Sequence, residues 1–285
     1  MSRGLASKSW RAAGLTLLAA WLSLLLPHAA RGWGENAQKL IVNRAVDTVP
    51  YELRPFFENN RKYLIDHVDD PLGLIDEHPW ERNNHFIELD KYGKFPYDAL
   101  PRSYKAAIDK YGKSKILSTG LLPWQIGVYS EKLTEDFRSG KWEQAKIDAA
   151  FLANFVAEAH DPFNTTENFD GRLTAQNGVN DRFNDVLIAR YGSFFPLSPR
   201  DAFFISDPTD YAFDACLEAH SLVESLLLAD RHAKKGLTSY TDDYYDRFYN
   251  LTAASLIRQL SDASTDVGSY WLTAWVNAGK PALPR

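Results

Sequence analysis

The chain has 285 residues, 45% hydrophobic and 13% aromatic, which is enough apolar side chain for a substantial core and too much for a disordered polymer. Residues 33–285 carry 28 Lys and Arg against 37 acids, a net charge of −9 that argues against general nucleic-acid affinity. Cys216 is the only cysteine, so an intrachain disulfide is excluded and a thiolate metal site is disfavoured.

Residues 1–32 read as a secretory signal peptide. Arg3, Lys8 and Arg11 give a positive start, residues 15–26 are apolar, and Pro27 breaks the run. Ala30 and Gly32 then place small residues at −3 and −1 of a cut before Trp33. The expected product is exported, periplasmic or extracellular, with residues 33–285 as a single domain. No later segment reaches the ~20 apolar residues that a membrane span needs.

Along that domain the apolar spacing is helical. Leu40, Ile41, Ala45 and Val46 mark a first helix, and Tyr104, Ala107, Ile108 and Tyr111 another. Pro123 opens a helix to residue 138 with Gly140 as its stop, and a further helix spans 142–158. Helices are also predicted at 179–191, 208–234, 241–262 and 265–277. The stretches 66–101 and 160–178, rich in Pro, Gly, Asp and Asn, predict long loops of the kind that carry function. Alternating patterns are rare, so the predicted class is all-α, with Cys216 as a buried structural thiol.

Some chemistries are absent. There is no HExxH pair and no GxSxG elbow. Gly112-Lys113-Ser114 looks like the end of a phosphate loop, but Ala107 stands where that loop needs glycine. What recurs is amides and acids at helical spacing. Asn154 and Glu158 are i, i+4, as are Asn180 and Asn184; Asn164 lies between the pairs, with Gln38, Asp66 and His85 upstream. Two helices that each offer such a pair can form a metal cage in a bundle. The same spacing also fits solvated surface asparagines.

In these residues the chain resembles the zinc-dependent phospholipase C family and the related single-strand-specific secreted nucleases. Trp33 matches the tryptophan with which those mature enzymes begin, and residues 40–47 (LIVNRAVD) are similar to their first helix. Asp66, His85-Phe86 before Asp90, residues 151–164, and Trp271 with Trp275 follow in family order. The resemblance implies an all-α phospholipase C/nuclease-type bundle and metal-dependent hydrolysis of phosphoesters. Phospholipid, nucleic acid or a small phosphoester would be the partner, and Asp66 the candidate base.

By the same resemblance, three zinc ions would be held by Trp33, Asp66, His85 and Glu158 together with five further positions. At those five this chain has Gln38, Asn154, Asn164, Asn180 and Asn184, where the family has imidazoles and one acid. Neutral amide oxygens hold zinc weakly. At most one or two weakened zinc ions are therefore expected, or a harder ion such as calcium, or none. Two readings follow: an altered phosphoester hydrolase, or a non-catalytic relative that keeps the cleft as a binding or structural module. His160 reads as a structural group, His67 as solvated, and His78 as a candidate replacement ligand. Asn164-Thr165-Thr166 and Asn250-Leu251-Thr252 fit the glycosylation pattern, although a glycan at Asn164 would contradict a pocket there.

Overall fold

The computed structural model describes residues 32–284; the expected leader lies outside the described residues, apart from Gly32. Every regular element among the described residues is helical, so the chain is all-α. In order these are α1 (Glu35–Thr48), α2 (Arg54–Asn59), α3 (Arg61–His67), α4 (Asp70–Glu77), α5 (Tyr104–Tyr111), α6 (Lys113–Ser118), α7 (Leu122–Arg138) and α8 (Trp142–Ala159). They are followed by α9 (Val179–Asp181), a π-turn (Arg182–Val186), α10 (Leu187–Tyr191), α11 (Pro208–His220), α12 (Val223–Lys234) and α13 (Asp242–Asn277). None of the described helices is long and apolar enough to cross a membrane.

α13 is the axis of the bundle. It has 36 residues, roughly 54 Å at 1.5 Å per residue, and packs against α1, α7, α8 and α12. Its inward face buries Tyr244, Phe248, Leu256, Leu260, Val267 and Trp271, and Trp271 stacks on Phe57 with ring centroids 4.4 Å apart. α1 approaches so closely that a methyl on Gly268 would come within 1.9 Å of Thr48 Oγ1.

The expected break between 262 and 265 does not occur. Ser261, Ser264, Thr265 and Ser269 turn their hydroxyls back onto the carbonyls of Ile257, Leu260, Ser261 and Thr265, so the polar stretch stays helical. The same face serves an extended segment. Ser198, Arg200, Phe203 and Ile205 donate their backbone N–H groups to the hydroxyls of Ser261, Thr265, Ser269 and Thr273. In the other direction, the predicted helix over 208–234 is two helices, with Ser221 and Leu222 as the joint.

The stretch 66–101 is more ordered than a loop, because it holds α4 and short 3₁₀ turns at Pro79–Asn84 and Leu89–Tyr92. It is pinned to the rest by Leu121 N–H on the Asn83 carbonyl, Leu122 N–H on Phe86 and Ile87 N–H on Asn164. Gly120 permits this. A methyl there would lie 2.0 Å from the Phe86 carbonyl oxygen, and its φ of +96° suits glycine.

Candidate functional site: a buried amide and carboxylate cluster

Four pieces of chain, distant in sequence, carry the cluster. α8 presents Asn154 and Glu158 one turn apart, and both are fully buried. Immediately after α8, Asp161 caps the 3₁₀ turn Pro162–Thr165, with Oδ1 accepting the Phe163 N–H at 2.9 Å. That turn buries Asn164. The π-turn supplies Asn184, and α9 supplies Asn180. A π-turn inserts an extra residue into a helix and is often found at functional sites. Here Asn184 Nδ2 donates to Asp161 Oδ2 and to Asn180 Oδ1, both at 2.7 Å.

The segment before α1 threads between Asn164 and Asp185 of the π-turn. A methyl on Gly32 would lie 2.2 Å from Asn164 Nδ2, and one on Gly34 would lie 2.8 Å from Asp185 Oδ1. Trp33 is buried between them, its indole N–H on the Ala157 carbonyl at 2.8 Å and its ring 6.0 Å from Phe183. Gln38, on the next turn of α1, is also fully buried.

His85 enters from the 3₁₀ turn Pro79–Asn84. Its Nδ1 lies 2.7 Å from Glu158 Oε2, and its Nε2 lies 3.8 Å from Glu81. Burial, the largest influence, favours the neutral ring. Glu158 and then Glu81 outweigh it, so His85 titrates above the ordinary histidine range. Burial raises Glu158, partly offset by His85. Burial also pushes Asp161 up to about 8; the Phe163 N–H and Asn184 oppose the shift, and the charge on Glu158 adds to it. Glu158 and His85 thus form one buried ion pair, with Asp161 as a second acid close enough to sense it.

Many polar atoms of this group have no hydrogen-bond partner: both amide atoms of Gln38 and of Asn154, Glu158 Oε1, Asn164 Nδ2, Asn180 Nδ2 and Asn184 Oδ1. Buried polar atoms are seldom left unpaired, because each costs about 1–3 kcal/mol. Such a concentration of unpaired polar atoms is unusual for a core.

The structure joins Asn184 directly to Asn180 and also to Asp161, sets Asn164 beside the chain entering Trp33, and joins His85 to Glu158. It does not bring Asp66 to them. α3 turns Leu64 inward, and Asp66 lies on the outer face, 46% exposed and paired with Lys62 one turn back. The acid of that stretch with buried carboxylate oxygens is Asp69. Asp161 also belongs to the cluster; an Asp-Pro pair at the end of a helix is a capping signal that fixes the carboxylate's position.

Three other histidines lie elsewhere. His78 is exposed and stacks on Trp80, His67 pairs with Asp70 at 2.8 Å, and His160 holds Asp266 at 3.0 Å. Cys216 is buried, and burial raises its thiol far above the ordinary range. Asn164, 4% exposed, offers no surface for a glycan.

Zinc fits this donor set poorly. The cluster holds a single imidazole, His85, whose Nε2 has no hydrogen-bond partner, among amides that hold zinc weakly, and Asn184 bonds to its neighbours through its nitrogen. Among the described residues no three His, Cys, Asp or Glu side chains gather around a common point.

No family model matches the chain, and no curated protein matches it. Among solved structures, the alpha-toxin of Clostridium perfringens from an avian strain is similar, with a TM-score of 0.45 and 11% identity over 85% of this chain. The match covers 64% of the toxin, so this chain spans less than two thirds of its length.

Proposed function

We propose that this chain is an exported relative of the zinc phospholipase C type that binds a small polar ligand in its buried amide and carboxylate cluster and does not carry out zinc-dependent phosphoester hydrolysis. The observation that carries the reading is the Asn184 carboxamide, which bonds Asp161 and Asn180 through its nitrogen, each at 2.7 Å. Where the resemblance implies imidazoles and an acid that converge on metal, these side chains converge on one another. Zinc in the hydrolases makes a nucleophile from water and stabilises charge on the phosphoryl oxygens. Amides supply neither the charge nor the affinity for that role.

The unpaired atoms named above include both donors and acceptors. They suit a ligand that is met by hydrogen bonds or by side-chain oxygens. The test is hydrolysis of bis(4-nitrophenyl) phosphate and of phosphatidylcholine vesicles by the purified chain, with and without added zinc. The expected result is no turnover above the buffer rate in either case. Zinc-dependent turnover would contradict the proposal.

A further inference from the structure

The buried acids outnumber the buried bases among the described residues; of those that no buried base is committed to, Asp136 and Asp148 pair with each other on α7 and α8, while Glu81 and Asp161 fall at the cluster. The buried basic side chains among the described residues are His85, His160 and Arg182. Each is committed: His85 to Glu158, His160 to Asp266, and Arg182 to Asp230. Asp161 is fully buried and is met by a backbone N–H and an uncharged amide. Glu81, 6% exposed, stands 3.8 Å from a histidine that already serves Glu158.

A buried carboxylate without a compensating cation is costly, and either a proton or a bound cation relieves it. A phosphate would add negative charge, and the buried arginine of the π-turn, Arg182, is already committed to Asp230. The side-chain oxygens of the cluster without partners, Glu158 Oε1, Asn184 Oδ1, Asn154 Oδ1 and Gln38 Oε1, belong to residues at most 1% exposed. They are hard donors, and hard cations favour oxygen.

Resting on the reading of this cluster as a binding pocket, we propose that its ligand is a hard divalent cation of the calcium type, held by the carboxylates of Glu158 and Asp161 and the side-chain oxygens of Asn180 and Asn184. Asn180 already turns its oxygen to the Asn184 amide nitrogen. A half-turn of the Asn184 carboxamide exchanges its nitrogen for its oxygen. Three oxygens would then crowd together, an arrangement that repels unless a cation lies among them. Asp161 is the discriminating residue, because it lies outside the ligand positions implied by the resemblance.

The test is calorimetric titration of the chelator-treated chain with calcium chloride, magnesium chloride and sodium phosphate, together with terbium luminescence. Calcium is expected to bind at one ion per chain and raise the melting temperature. Terbium is expected to occupy the same site with few coordinated waters, as its decay in D₂O against H₂O reports, and calcium should displace it. Asp161→Asn should weaken calcium about tenfold or more, while the exposed Asp243→Asn leaves it unchanged. The terbium readout on the native chain stands even if Asp161→Asn folds poorly. Calcium that binds equally well to Asp161→Asn, or a terbium ion that keeps a full water shell, overturns the proposal. Phosphate binding without any cation response overturns the cation and leaves the pocket. No response to any of the three overturns both.

Discussion

Asn184 gives one amide nitrogen to two oxygens, and that choice sets the character of the site. Beside it, His85 and Glu158 form a buried ion pair. Removing the imidazole strands a fully buried carboxylate, so His85→Ala should lower stability in urea by about 3–5 kcal/mol, far more than an exposed histidine such as His78. A second acid pair makes a pH prediction. Asp136 and Asp148 are both about 6% exposed, and burial, then Asp148, raise Asp136 to about 7. A folded-state value above the unfolded one means that protonation contributes stability at low pH. That contribution is complete below the ordinary aspartate value near 4 and is lost as pH rises through 7. Asp136→Asn should therefore raise the melting temperature at pH 8 by about a few degrees and change it little at pH 5. Equal effects at both pH values would show that the carboxyl does not titrate there.

At this scale the sequence revealed residue types better than their directions. Asn154, Glu158, Asn180 and Asn184 were legible because i, i+4 spacing fixes a shared face. Asp66 misled because a helix of seven residues, Arg61–His67, has two faces, and only packing decides which is buried. Asp161 needed the turn geometry after α8.

Among the elements, α13 shows how polar side chains can sustain a long helix. Its hydroxyls at 261, 265, 269 and 273, spaced four apart, take the backbone N–H groups of the segment 198–205. The edge of an unpaired extended segment is thus satisfied without a sheet. Ser269→Ala leaves the Phe203 N–H without its acceptor and should cost about 1–3 kcal/mol, whereas Ser225→Ala on α12, at an exposed position, should be near neutral. Gly268→Ala should be severe, because Thr48 Oγ1 stands 1.9 Å from the added methyl, and overpacking costs about 1–3 kcal/mol. The periodicity of residues 241–277 was plain in the sequence, but Ser, Asp and Thr at 261–266 read as a break. Their back-bonds to the helix are invisible without the partner segment. The helical order in 66–101 was hidden for a related reason: its turns are short and are held by tertiary hydrogen bonds rather than by propensity.

For the molecule as a whole, the all-α class followed from composition and period, while the site depended on how far-separated segments meet. Trp33, residues 154–164 and residues 180–184 meet because α8 and the π-turn both pack on α1, and His85 joins them through Glu158. The central claim is that this meeting place is built from amides and carboxylates that do not retain zinc. The most direct measurement is the zinc content, by elemental analysis, of the purified chain equilibrated with zinc and then desalted. The account predicts well under one ion per chain, rising when Asn164→His, Asn180→His and Asn184→Glu are combined. Three ions retained by the native chain would contradict it.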